Sequence, residues 1–185
     1  MAANTQDIFE QTLVLRCQLG DERAFEELLK LFGPRLLLFT RRMMQSTPAQ
    51  IDDVTQDAWL AIYRGLPSLL DVTKFRSWAF RIARDRIFRE FRRRKVTVEL
   101  LEENPSEAAL EQIDNSNIDP EEIQRSLERI SPGHREVLVL RFLEDLSYED
   151  ISRVTGSSIG TVRSRIHYAK RALRRAWKEN SYEPK

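Results

Sequence analysis

The chain has 185 residues, 41% hydrophobic and 32% charged, with 30 lysines and arginines against 29 acids for a net charge of +1. That length holds one ordinary domain or two small ones, and the mixed composition excludes wholesale disorder. No apolar run approaches the roughly 18 residues of a membrane helix, MAANTQDIFEQ lacks the basic start and apolar core of an export signal, and one cysteine with two histidines leaves no disulfide or zinc framework.

A cytoplasmic protein with no cofactor and no membrane insertion is therefore expected. Its hydrophobic periodicity is helical almost throughout, which predicts an all-α fold. Gly20 and Asp21 end a first helix, on which Cys17 is expected to be a small buried residue. Phe25, Leu28, Leu29, Phe32, Leu36 and Phe39 form one apolar stripe down a second. Gln45 to Gln50 reads as a loop, and a third helix carrying Val54, Ala58, Trp59, Ile62 and Tyr63 ends near Gly65. Leu66 to Thr73 forms a second loop, followed by a fourth helix with Phe75, Trp78, Ala79, Ile82, Ala83, Ile87 and Phe91 inward.

Between Val96 and Asp119 the aromatics vanish and acids and asparagines accumulate, the composition of a linker. The chain thus divides into an N-terminal module over 1–95, an acidic linker over 96–119 and a C-terminal module over 120–185. Pro120 starts a helix; Ser131-Pro132 caps and starts another, with Val137, Leu138, Leu140 and Phe142 on its buried side.

The near-zero net charge conceals blocks. Lys74 to Lys95 carries +8, Val96 to Ile130 carries −8, and Ser152 to Lys178 contains eight bases and no acid. Two basic blocks flanking an acidic one are the electrostatic footprint of a polyanion binder. The acidic stretch, with Glu102, Glu103 and Glu107, is expected to shield the basic blocks from nonspecific DNA.

Leu146-Ser147-Tyr148-Glu149-Asp150-Ile151 begins the most informative pattern. Ser147 is an N-cap with Asp150 at the capping-box position, and Gly156 falls where a two-turn helix must stop in a left-handed conformation. Ser157 and Ser158 offer a new N-cap, and Ile159, Val162 and Ile166 form the inner stripe of the next helix. Thr161, Arg163, Ser164, Arg165 and His167 point elsewhere. A helix, a tight turn and a second helix of this kind place the second helix in the major groove, where Arg163 and Arg165 suit guanine and Thr161 and Ser164 supply hydroxyls. Lys170, Arg171, Arg174 and Arg175 are better placed to grip phosphates.

GDERAFEELLKLFGPRL, DDVTQDAWLAIYRGL, FRSWAFRIARDRIFREFRRRK and SPGHREVLVLRFLEDLSYEDISRVTGSSIGTVRSRIHYAKRALR occur in the order of an extracytoplasmic-function sigma factor, which the chain resembles over most of its length outside the linker. The resemblance implies no enzyme but a subunit that binds core RNA polymerase and promoter DNA, the N-terminal module opening the −10 element and the C-terminal one reading the −35 element. It also makes an anti-sigma factor a candidate partner. Asp52, Asp53, Gln56 and Asp57 match the family's polymerase-binding helix. Opening DNA costs a few kcal/mol per unstacked step, recovered by capturing bases and gripping the strand. Phe75, Trp78 and Phe80 alternate with Lys74, Arg76, Arg81 and Arg84 in a pattern that supplies both, with Asp85 and Arg89 farther along the helix; the Leu66–Thr73 loop matches the segment that receives a flipped base. Two positions depart from the family: Asp85 stands where asparagine is common and Tyr168 where arginine is common.

Two other classes remain open to the sequence. A helix-turn-helix regulator would leave the basic, aromatic fourth helix unexplained. A nuclease using Asp52, Asp53 and Asp57 for magnesium would hold the ion on consecutive turns of one helix, a poor cage.

Overall fold

A computed structural model describes residues 5–94 and 120–181, and within them every regular element is helical. The linker and the shielding role read for it lie outside the described residues.

The N-terminal module contains α1 (Thr5–Gln18), α2 (Glu22–Met43), α3 (Pro48–Gly65) and α4 (Phe75–Arg93). Asp21 caps α2 by accepting from the Ala24 backbone N–H at 3.2 Å, and Arg16 holds that carboxylate at 2.8 Å. The loop before α3 is shorter than its composition predicts, because Pro48 opens the helix behind the Thr47 N-cap, with Gln50 completing a capping box. Leu66–Ser68 and Val72–Lys74 are single 3-10 turns within the second loop.

Leu28, Phe32, Leu36 and Phe39 on α2 meet Phe75, Ala79 and Phe80 on α4, all fully or almost fully buried. Phe32 lies 5.2 Å from both the Phe75 and Phe80 rings, and Phe39 lies 5.1 Å from Phe80. Phe75 is thus in the core, as its helical stripe predicts, and the further reading of Phe75 and Phe80 as rings that capture DNA bases is corrected: both are the centre of the aromatic core. Cys17 is half-buried against it, and burial pushes its thiol pKa up.

In the C-terminal module α5 (Pro120–Arg129), α6 (Pro132–Leu138), α7 (Tyr148–Thr155) and α8 (Ile159–Ser181) pack with α8 at the centre. Ser131 caps α6 as its sequence predicts, accepting from the His134 N–H. The chain then passes through a π turn over Val139–Leu143. The wider turn shifts the side chains within it off the 3.6-residue period, so Phe142, expected inside, is 51% exposed, with the Lys170 ammonium 4.8 Å from its ring centre. Ile159 is likewise exposed, leaving Val162, Ile166 and Ala169 as the buried stripe of α8.

The two modules pack directly on each other, α7 against α4 and the ends of α5 and α6 against α2. Arg135, 4% exposed, donates to the Leu127, Glu128 and Ile130 carbonyls at the end of α5 and to the Met43 carbonyl that closes α2.

Candidate nucleic-acid interface

The helix-turn-helix forms as the sequence dictates. The Ser147 hydroxyl accepts from the Asp150 N–H at 3.0 Å and donates to the Asp150 carboxylate at 2.7 Å. Gly156 takes φ +68°, and the Ser158 hydroxyl accepts from the Thr161 N–H at 3.1 Å to start α8. Arg163, Ser164, His167 and Lys170 are exposed along one face of α8. Thr161 is tied into the cap through the Ser158 hydroxyl at 2.9 Å, and the Ser164 hydroxyl donates back to the Thr161 carbonyl. Arg165 stands apart: it is half-buried, its Nη1 3.4 Å from the Ser157 hydroxyl, and its charge is felt by Glu136. Arg171 is half-buried as well.

Helix α4 separates the −10 residues into two groups. Arg81, Asp85 and Arg89 recur every four residues and are exposed, with half-buried Trp78 at the head of the row. Trp78 packs on Gly65, where a Cβ would stand 2.8 Å from the indole Cζ2. Arg89 also lines an open groove of about 510 Å³ with Arg64, Arg86 and Asp57. Arg64 and Arg86 add cations at the seam between α3 and α4 that the periodicity did not bring together, because the seam joins the last turn of one helix to the middle of another.

In the second group Arg76 and Arg84 are engaged within the protein. Arg76 Nε lies 2.9 Å from Glu10 Oε1 and its Nη2 2.8 Å from Asp7, a strut between α4 and α1. Arg84 Nε donates to Glu136 Oε1 at 2.6 Å, while its Nη1 lies 3.6 Å from Asp85. Lys74 is half-buried at the N-cap of α4, where its carbonyl accepts from the Ser77 hydroxyl.

Asp52, Asp53, Gln56 and Asp57 are all exposed on α3, as expected, but they face two neighbours. Asp57 borders the basic groove, whereas Asp52 and Gln56 edge a separate groove of about 690 Å³ between α2 and α3. That larger groove is floored by apolar side chains including Phe25, Leu29, Leu37 and Trp59, with Glu22 and Glu26 on its rim. Phe25 and Leu29, read from the sequence as part of one core stripe, are only half-buried because they line it. No group of three or more side chains suited to hold a metal occurs among the described residues. Nor does any described helix have the length and apolarity to cross a membrane.

Three buried carboxylates carry raised pKa values: Glu10, Glu136 and Glu144. In each case burial dominates, opposed by the paired arginine, respectively Arg76, Arg84 and Arg35.

Residues 28–97 match the family model for sigma-70 region 2, and residues 120–173 match that for sigma-70 region 4. The chain is 34% identical to the RNA polymerase sigma-H factor of Pseudomonas aeruginosa, over 90% of this chain and 93% of that one. It is 31% identical to the ECF RNA polymerase sigma-E factor of Escherichia coli K12, over 91% and 94% of the two chains. Among solved structures it is similar to CnrH in complex with the cytosolic domain of CnrY, with a TM-score of 0.69 and 25% identity over 92% of this chain and 98% of that one. The fold of the sigma factor RpoE from Bartonella quintana, solved with the anti-sigma factor NepR, matches with a TM-score of 0.67 and 24% identity over 83% and 96%.

Proposed function

The chain belongs to the extracytoplasmic-function class of RNA polymerase sigma factors and directs core polymerase to promoters, and from this premise we propose how its surfaces divide the work. Residues 1–95 bind polymerase and recognise and melt the −10 element, residues 96–119 connect, and residues 120–185 read the −35 element.

The polymerase docks on the exposed face of α3. An apolar groove rimmed by Glu22, Glu26 and Asp52 fits a partner helix that offers an apolar row flanked by arginines. Asp53, Gln56 and Asp57 extend the acidic border. Arg81, Asp85 and Arg89 on α4 face the −10 strand, and Arg64 and Arg86 continue the cationic path. Trp78 offers a half-exposed ring for stacking. On α8, Arg163 and Ser164 reach base edges, His167 and Lys170 continue the face, and Arg171 grips phosphate from its flank.

The chain itself performs no catalysis on this reading; nucleotide addition belongs to the polymerase it joins, in the cytoplasm. An anti-sigma factor completes its set of partners. The observation that carries the assignment is the exposed basic face of α8 presented by a fully capped helix-turn-helix. Run-off transcription by core polymerase on a promoter library tests it. Addition of the chain selects a discrete set of start sites, and Arg163→Ala alters that set at the −35 position; unchanged start selection would refute the assignment.

A further inference from the structure

The loop between α3 and α4 takes its course from α1. The Gln18 side chain, half-buried at the last residue of α1, donates from Nε2 to the Leu66 carbonyl at 2.9 Å and to the Leu69 carbonyl at 2.7 Å. A side-chain amide nitrogen carries two N–H donors, and both are used on this short stretch of backbone. Beside them the Leu69 N–H returns to the Leu66 carbonyl at 3.1 Å. Farther along, the Asp71 carboxylate accepts from the Thr73 N–H at 3.0 Å and from the Thr73 hydroxyl at 2.6 Å.

The loop has little regular structure of its own, only the 3-10 turns Leu66–Ser68 and Val72–Lys74, whose hydrogen-bond geometry is poorer than that of an α-helix. Between the turns Leu69 and Asp71 are extended, and an extended chain sends successive side chains to opposite sides. Leu69 packs against the core, and Leu70 is fully exposed. The Leu69 carbonyl belongs to the peptide that leads into Leu70. The bond from Gln18 therefore fixes the direction in which Leu70 leaves the surface. Gln18 itself stands on a braced helix, because Arg76 ties α1 to α4 through Asp7 and Glu10. Trp78 holds the other side of the same corner, packed on Gly65 immediately before Leu66.

We propose that Gln18 is a positioning residue for promoter choice, holding the Leu66–Thr73 loop in one course so that the Leu70 side chain meets an unstacked −10 base. The proposal rests on the sigma reading above and extends it to a residue of α1, outside the basic, aromatic helix. Leucine is among the apolar side chains that DNA-binding proteins press against unstacked bases. A loop already ordered does not have to be immobilised when the strand arrives, so more of the contact energy is left to distinguish one base from another. A loop free to turn would offer Leu70 in many directions and discriminate less.

The test uses the full chain with core polymerase and promoters that differ by single bases in the −10 and −35 elements. Gln18→Met keeps the length of the side chain and removes both donors. It lowers run-off discrimination at one −10 position about fivefold, the size of one net hydrogen bond, and leaves −35 discrimination unchanged. Leu70→Ala, at a position outside the core, flattens the same −10 position. The double variant is no flatter than Leu70→Ala alone, because Gln18 acts through Leu70. On the chain free of polymerase, hydrogen exchange of the backbone amides over 66–74 quickens in Gln18→Met and not in Leu70→Ala. Unchanged −10 discrimination in Gln18→Met, losses that add in the double variant, or unaltered exchange would each overturn the proposal. An unmutated chain that confers no promoter preference counts instead against the sigma reading, and the exchange measurement still decides whether Gln18 holds the loop.

Discussion

Arg76 Nε bridges both oxygens of Glu10, at 2.9 and 3.0 Å, while its Nη2 takes Asp7. A residue that sequence pattern assigns to DNA is thereby the tie between α1 and α4. Glu10 is 5% exposed, so truncating the arginine strands a buried carboxylate. Arg76→Ala should therefore cost about 3 kcal/mol of folding stability, read by urea unfolding at neutral pH. Arg76→Ala with Glu10→Gln should recover most of the loss. Full stability in the single variant would return Arg76 to the DNA-contact set.

Packing of the two modules on each other, the closed form, has a pH dependence of definite sign. Glu136 faces Arg84 and Asp85 on α4 and Arg165 on α8; Glu144 faces Arg35 on α2, Arg76 on α4 and neighbouring Asp145. Burial raises both pKa values, so the closed form binds these protons more tightly than solvated carboxylates do. Their contribution to closure is full below the ordinary carboxylate range and is lost as pH rises through the raised values. Lowering the pH from neutrality toward the ordinary carboxylate range should therefore favour the closed form, seen as a smaller radius of gyration. Glu136→Gln, which imitates the protonated side chain, should weaken that dependence. Glu90 works in the opposite sense: Arg93 and Arg94 lower its pKa to about 2, so its contribution to the end of α4 fails only as pH falls below the ordinary carboxylate range.

The arginines of α8 should separate in their effects. Arg163 is exposed and directed away from the module, so Arg163→Ala should cost about 1–3 kcal/mol of base discrimination at one −35 position. Arg165→Ala should instead change the compactness of the free chain, because Arg165 lies beside Ser157 and near Glu136. Lys170→Ala should weaken all DNA sequences alike and reduce the salt slope by about one. Competition binding across single-base −35 variants at two salt concentrations distinguishes the three outcomes.

Local chemistry made much of this protein legible from sequence. Ser131, Ser147 and Gly156 state their helix boundaries through caps and turns that depend on a few neighbours. The exposure of Arg163, Ser164 and His167 on α8 was readable for the same reason, whereas the half-burial of Arg165 was not. Phe80 was not, because a helix of alternating aromatics and arginines has the same pattern whether a ring meets a base or Phe32. Phe142 was missed because a π turn breaks the 3.6-residue period on which the prediction relied. The inter-module pairs depend on contacts between distant segments. Their one local sign was Glu136, a lone acid at the head of the apolar run Val137–Leu140.

Trp78 joins packing to strand capture through Gly65. One edge of its indole lies where a Gly65 side chain would begin, with Cζ2 and Cη2 2.8 and 3.2 Å from an added Cβ. Its other neighbour is the buried Phe75 ring, 6.3 Å away centre to centre. Gly65→Ala must therefore swing the rigid indole outward and misplace the platform at the head of the Arg81, Asp85 and Arg89 row. Trp78→Ala should weaken capture of an unstacked −10 base by about 1–3 kcal/mol, with Trp78→Phe retaining part of it. Gly65→Ala should reproduce that defect with the tryptophan still present. Fluorescence of 2-aminopurine placed in the −10 element, recorded with core polymerase, measures base capture directly, and a duplex-binding assay on the same complexes separates it from lost affinity. Normal base capture in Gly65→Ala, accompanied only by a lower melting temperature, would confine Trp78 to packing.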